Sequence, residues 1–280
     1  MDYQITEKML DSYEEHLIQG EYAKGSIEKY LRDIRAFLRW AGKQPLTKEL
    51  TGRWKEKLVQ RKYAPVTVNS MLSALNGILE FLELKEYQVK FIKIQRKTFR
   101  EQERELSREE YERLLLAARK RGNIRLELLL ETICATGIRV SEVRHVTVEA
   151  VRQGRACISL KGKVRTILIP AKLGRKLSKY CRKWKIKSGE IFLTKRGNSL
   201  TRRQIWGEMK NLCEEAEVES SKVFPHNLRH LFARTYYKVY RDIVKLADIL
   251  GHSSVETTRI YLISTGEEHA RQIDRLGLVS

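Results

Sequence analysis

"ACISLKGKVRTILIP", residues 156–170, is the stretch whose reading decides the fold. Two runs, ACISL and RTILIP, are rich in β-branched and aliphatic residues, and they flank the basic segment KGKV with Gly162 available for the turn. The pattern predicts a β-hairpin stopped by Pro170. No other stretch carries a comparable strand signal. Outward in both directions, apolar residues recur at the three- and four-residue spacing of helices. The fold class that follows is mainly α with a small β-sheet (α+β).

Upstream of the hairpin, "NIRLELLLETICATG" (123–137) predicts a largely buried helix ending at Gly137. Before it, Ser107 and Glu110 form an S-x-x-E capping box that opens a helix in "REEYERLLLAARKRG" (108–122). Further back, "VKFIKIQRKTFREQERELS" (89–107) loses periodicity and gains charge, which predicts a linker over 91–105. The first ninety residues read as a four- or five-helix bundle. "SIEKYLRDIRAFLRWAG" places Ile27, Tyr30, Leu31, Ile34, Phe37 and Leu38 on one stripe, and "TVNSMLSALNGILEFLEL" does the same with Val68, Met71, Leu72, Leu75, Ile78 and Leu79. The expected organisation is a helical domain over 1–90, the linker over 91–105, and a mixed domain over 106–280. Downstream of Pro170 the chain is helical again, with one short turn in "FLTKRGNSLT" (192–201).

Composition sets the class of partner. The chain has 280 residues, 42% of them hydrophobic, enough for a buried core. Its apolar runs are too short to span a bilayer, and the polar, acidic start "MDYQITEKML" is no secretory signal. Four widely spaced cysteines without a CxxC pair read as reduced thiols in a cytoplasmic protein. Net charge is +20, and the excess is spread over both halves: residues 161–210 carry 16 Lys/Arg against 2 Asp/Glu. A bias so distributed suits a clamp around a chain of phosphates better than a basic tail does.

Three further stretches carry candidate chemistry. In "FPHNLRHLFARTYY" (224–237), Pro225 suits the first turn of a helix, so His226, Arg229 and His230 share one face. Three readings compete. His226 and His230 could bind zinc, but Asn227 stands where the H-E-x-x-H pattern needs Glu and no cysteine cluster completes a site. The residues could be ordinary packing, or Arg229 and His226 could hold a phosphate. In "LGHSSVETTRIYL" (250–262), His252 precedes SSVE, read as a second S-x-x-E box, which places it at an anion-favouring helix N-terminus. Tyr261 follows as either half-buried packing or a nucleophile. In "ATGIRVSEV" (135–143), Arg139 has Glu142 one turn on, the spacing of a surface salt bridge.

Together these motifs, in this order, resemble the tyrosine recombinase (phage integrase) family: Arg139 in TGIRVSEV, a lysine on the hairpin in LKGKVRTILIP, His226 and Arg229 in HNLRHLFA, His252 in LGH, and Tyr261 in TTRIYL. The N-terminal helices resemble that family's core-binding domain, so the likeness covers nearly the whole chain. The resemblance implies that Arg139 and Arg229 clamp a scissile DNA phosphate, and that His252 hydrogen-bonds a non-bridging oxygen. It implies that Tyr261 attacks phosphorus, Lys161 protonates the leaving 5′ oxygen, and His226 assists as acid or base. Glu142 would support Arg139, and His230 would pack beneath the site. The hairpin is one residue longer than expected between Lys161 and Pro170, so Lys163 is a second candidate for the acid. Tyr236, Tyr237 and Tyr240 are rival tyrosines, on what reads as the Arg229 helix.

The chemistry fits the residue types. Two arginines and a histidine aimed at a pentacoordinate phosphorane act as preorganised stabilisers, each worth on the order of 10²–10³ in rate. The arginines supply the positive charge, so neither a metal nor any other cofactor is expected. The implied partner is double-stranded DNA with inverted-repeat core sites, a dimer per site and a homotetramer on two sites, with an accessory directionality factor as a further candidate and no membrane. The implied role is integration or excision of a mobile element, with Xer-type chromosome dimer resolution or a non-catalytic DNA-binding regulator as alternatives. The chain is expected to lack an arm-binding module. The stretch after Tyr261, with Ala270, Ile273 and Leu276 at helical spacing, is expected to dock on a neighbouring protomer or on its own domain.

Overall fold

The computed structural model describes residues 3–94, 105–160, 163–259, 261, 271 and 274–276. The chain divides into two compact units, Met1–Arg96 and Lys97–Ser280. Most of the expected linker, residues 95–104, lies outside the described residues, as do Lys161, Ala270 and Ile273.

The first unit contains four α-helices among its described residues: α1 (Glu7–Gln19), α2 (Lys24–Ala41), α3 (Lys48–Gln60) and α4 (Pro65–Phe81). Threonine side chains cap α1 and α3, and Pro65 opens α4 from its first turn. The predicted stripes are the core. Ile27, Leu31, Ile34 and Phe37 of α2 are buried with Val68, Leu72, Leu75, Ile78 and Leu79 of α4, while Tyr30, Leu38 and Met71 pack at the edge. One buried acid escapes the apolar pattern. Asp33 accepts a hydrogen bond from Lys29 at 2.7 Å, and Lys29 also donates to Ser70 at 2.6 Å, which ties α2 to α4.

The second unit is helical around a two-stranded antiparallel sheet. Helices α5 (Arg108–Lys120) and α6 (Ile124–Thr136) come first, and the Ser107–Glu110 capping box is present. A 3₁₀ turn (Val140–His145) and α7 (Val148–Gln153) lead to β1 (Arg155–Leu160) and β2 (Lys163–Leu168). The strands pair from Arg155↔Leu168 to Leu160↔Lys163. Strand β2 therefore begins at Lys163, two residues earlier than the apolar run indicates, because pairing continues through the basic segment. Then come α8 (Ala171–Lys183), α9 (Arg202–Lys210), α10 (Pro225–Tyr240), α11 (Ile243–Leu250) and α12 (Val255–Arg259). The turn between α8 and α9 is closed by a Leu193↔Ser199 bridge. Helix α6 buries Leu126, Leu128, Leu129, Leu130 and Ile133, and α10 packs against it. Among the described residues no helix is long and apolar enough to cross a membrane.

Candidate active site

Three chain ends meet here: the C-terminus of α6, the N-terminal turns of α10, and the C-terminus of α11. Helix α6 stops at Gly137, whose φ of +62° is a left-handed value that favours glycine. The chain turns at once, and Arg139 caps the following 3₁₀ turn. Its guanidinium donates to Glu142 at 2.9 Å and to the Gly251 carbonyl at 3.3 Å, while Glu142 also accepts the Arg139 backbone N–H at 2.9 Å. The Arg139–Glu142 pair read from the sequence is formed, but the carboxylate is 3% exposed, so this is no surface salt bridge.

Arg229 sits one turn into α10 and is 1% exposed. It donates to the Gly137 carbonyl at 2.5 Å and to the Leu250 carbonyl at 2.7 Å, so the last carbonyls of two helices hold one cation. The same guanidinium lies 2.8 Å from Nε2 of His252. Since arginine only donates, Nε2 accepts, and Nδ1 carries the proton that it donates to Thr258 Oγ1 at 2.8 Å. Burial, followed by repulsion from Arg229 and Arg139, pushes the His252 pKa down to about 4. Burial and the neighbouring Arg139 also lower that of Arg229, opposed by a hydrogen bond with Tyr261.

His252 is positioned differently from the sequence-based expectation. Its backbone N–H bonds the Ala247 carbonyl while that of Gly251 bonds Asp248, which completes a Schellman ending of α11. The helix that SSVE predicts begins one residue later than a cap at Ser253 would set it. Helix α12 starts at Val255, and the hydroxyl of Ser254, not Ser253, accepts the Glu256 N–H at 3.2 Å. The C-terminus of α11 therefore places the backbone of His252, while Thr258 of α12 and Arg229 of α10 orient its ring.

Tyr261 is buried at 3% exposure and lies among three imidazoles. Its ring stands edge-on to His230 at 4.4 Å, near-parallel to His252 at 5.6 Å, and tilted against His226 at 5.8 Å. His226 and His230 are themselves edge-on at 4.5 Å. Among the described residues no group of three His, Cys, Asp or Glu could hold a metal ion. Tyr261 also belongs to an apolar cluster with Ala233, Leu246 and Leu250, against which Tyr236 and Tyr237 pack partly buried, and Tyr240 is 64% exposed.

Two features escape the sequence. Arg165, from the middle of β2, donates to Glu142 at 3.0 Å and to the Ile249 carbonyl at 2.9 Å. Burial is the main cause that brings its pKa down to about 10. One carboxylate thus pairs with two guanidinium groups while Arg229 adds a third cation to the site, and buried Nε of Arg165 and Arg229 has no hydrogen-bond partner among the described residues. The site is short of negative charge. The second feature is a cleft of about 710 Å³ over Arg139, His226 and Arg229, whose other wall is Arg202, Arg203 and Trp206 of α9. Lys163 stands at the start of β2, and Lys161 lies outside the described residues.

Residues 104–268 match the model of the phage integrase family, and residues 10–86 match that of the phage integrase N-terminal SAM-like domain. The tyrosine recombinase XerA of Pyrococcus furiosus is 27% identical, covering 98% of this chain and 96% of the relative. The tyrosine recombinase XerD of Vibrio cholerae is 25% identical, covering 93% and 91%. A lambda integrase dimer bound to a COC′ core site shares the fold, with a TM-score of 0.73 over 93% of this chain and 78% of that one at 19% identity. A lambda integrase tetramer bound to a Holliday junction does so at a TM-score of 0.72, with the same coverage and identity. With its catalytic-domain match alone spanning more than half of its length, the chain belongs to the phage integrase family of tyrosine recombinases.

Proposed function

We propose that the chain is a site-specific DNA recombinase that cleaves and rejoins duplex DNA through a 3′-phosphotyrosyl intermediate at Tyr261. The observation that carries this reading is the placement of one buried tyrosine among His226, His230 and His252, with His252 hydrogen-bonded to Arg229. Arg139 and Arg229 attract a phosphodiester, whose charge supplies what the three-arginine site lacks. The same charge offsets the repulsion that keeps His252 neutral, so its Nε2 takes a proton from water, gives up the hydrogen bond from Arg229 and donates one to a non-bridging oxygen. The Tyr261 oxygen forms the bond to phosphorus and its proton passes to His226. The bond from phosphorus to the 5′ oxygen breaks, and that oxygen takes a proton from Lys161, with Lys163 as the second candidate. The leaving alkoxide is basic, so this general acid contributes roughly 10²–10⁴ in rate. The phosphotyrosyl ester keeps the energy of the broken bond, and a second 5′ hydroxyl reseals the strand by the reverse step.

The partners follow from the same reading: inverted-repeat core DNA, with one dimer per site and a tetramer on two, a reading supported by the likeness to a lambda integrase dimer on a core site and a tetramer on a Holliday junction. The proposed role is integration or excision of a mobile element, in the cytoplasm, where the four unpaired thiols stay reduced. Xer-type resolution is the second reading, favoured by the near full-length match to XerA and XerD. A strain lacking the gene separates the two, through lost excision circles or accumulated chromosome dimers.

The test of the chemistry is covalent trapping on a nicked suicide duplex built from DNA flanking the gene, read on a denaturing gel. The expected result is an SDS-resistant adduct that Tyr261→Phe abolishes while DNA affinity stays within about twofold. An adduct that survives in this variant overturns the assignment of the nucleophile.

A further inference from the structure

Helix α8 carries a charge that the catalytic site does not use. Residues 171–187 hold eight Lys/Arg and no Asp/Glu. Lys172, Arg175, Lys179 and Arg182 recur at i, i+3, i+7 and i+10, so they form one stripe, and all four are exposed. Lys185 and Lys187 continue it along a groove of about 730 Å³ between α7 and α8, lined also by Val148 and Val151. None of these six cations forms an ion pair among the described residues. The neighbouring Lys176 does pair, with Glu131. Like charges three and four apart oppose helix formation, so the stripe costs stability wherever no anion meets it. Its buried face, Leu173, Leu177, Tyr180 and Cys181, already holds α8 on the core, so packing does not require the charge.

The stripe is not part of the catalytic cleft. That cleft is lined by the 3₁₀ turn, α9 and the start of α10, and by no residue of α8. The four helical cations extend over about 15 Å at 1.5 Å per residue, the axial rise of about four phosphates on one strand at 3.4 Å each. A regular row of unpaired cations of that length matches a DNA backbone. We infer that the exposed face of α8 binds the phosphate backbone of a duplex segment distinct from the one held in the catalytic cleft. The inference rests on the DNA-binding reading given above and adds a second site to it.

The test uses the full chain and a 12-base-pair duplex of arbitrary sequence, about 40 Å long. Two sites on separate faces would each hold one such duplex. The variant is the fourfold Lys172→Gln, Arg175→Gln, Lys179→Gln, Arg182→Gln protein, with circular dichroism showing that it is folded. The expected result is two duplexes per chain for the unaltered protein and one for the variant, with the salt dependence of total binding shallower by about 3.6 in log–log slope. A Lys172→Arg, Lys179→Arg variant keeps both duplexes. An unchanged stoichiometry and slope overturn the inference and leave the recombinase reading standing. One duplex on the unaltered protein with a reduced slope in the variant also overturns it, since α8 then touches the cleft's own DNA. No binding by either protein overturns both readings.

Discussion

Arg165 and Glu142 show how one buried charge can hold others in place. Glu142 is enclosed at 3% exposure between Arg139 and Arg165. Replacing Arg165 by Gln leaves that carboxylate with one cation instead of two and removes the donor to Ile249. We expect Arg165→Gln to cost stability at the low end of the roughly 3–5 kcal/mol seen when a buried pair loses one member, measured by urea denaturation. The same change removes a positive neighbour of His252, so its titration midpoint, followed by NMR, rises from about 4. The sign for stability follows. His252 is harder to protonate folded than unfolded, so its contribution is complete above the unfolded value of about 6.5 and is lost as pH falls toward 4. In the variant that loss begins at the same pH but is smaller and is complete at a higher pH. A midpoint that does not move would mean that Arg165 and His252 are electrostatically uncoupled. The candidate residues of this site were legible because they lie in short motifs. Arg165 was not, because its partners Glu142 and Ile249 are 23 and 84 residues away and its position in β2 looks like any alternating strand residue.

Helix ends build the site, and glycines set where the helices end. Gly137 is both the left-handed end of α6 and the carbonyl that Arg229 grips. A methyl group there would lie 2.6 Å from the Phe232 ring and 2.9 Å from a Leu250 methyl, both held in place by packing. Gly154 ends α7 with φ +70° and nothing within 4 Å of an added Cβ. Gly154→Ala therefore carries only the conformational penalty of about 1–2 kcal/mol. Gly137→Ala carries that and the clash, and shifts a carbonyl that positions Arg229. The expected outcome is a larger loss in urea denaturation for Gly137→Ala, together with loss of the covalent adduct, while Gly154→Ala keeps the adduct. Equal losses in both would mean that Phe232 and Leu250 yield freely. The ends of α5, α6 and α10 were readable from Ser107, Gly137 and Pro225, since caps are local. The start of α12 was misread because Ser253 and Ser254 compete for one cap. The chain before it is fixed by the α11 Schellman turn, whose bonds reach back to Ala247 and Asp248.

A net charge of +20 makes the whole chain a polycation, and this affects how activity and binding are measured. Binding to arbitrary duplex DNA releases counterions from each phosphate neutralised, so affinity falls with salt along a straight log–log line. A protein that meets six to ten phosphates loses on the order of 10³–10⁵ in affinity between 50 and 200 mM salt. The distribution of charge over both units predicts that this chain lies in that range, measured by fluorescence anisotropy on a duplex unrelated to its site. Tyr261→Phe is expected to follow the same line. The side chain it shortens is buried, and the substitution leaves every cation of the chain in place. Composition alone made this legible, because a charge sum needs no fold. What it could not show is where the charge sits: Arg229 and Arg165 are buried in the site, while Lys172 and Arg175 face solvent on α8. A slope near zero would mean that the exposed cations do not meet phosphates. A steep slope shared by both proteins would separate the electrostatic grip on DNA from the chemistry at Tyr261, and would leave the adduct as the measure of catalysis.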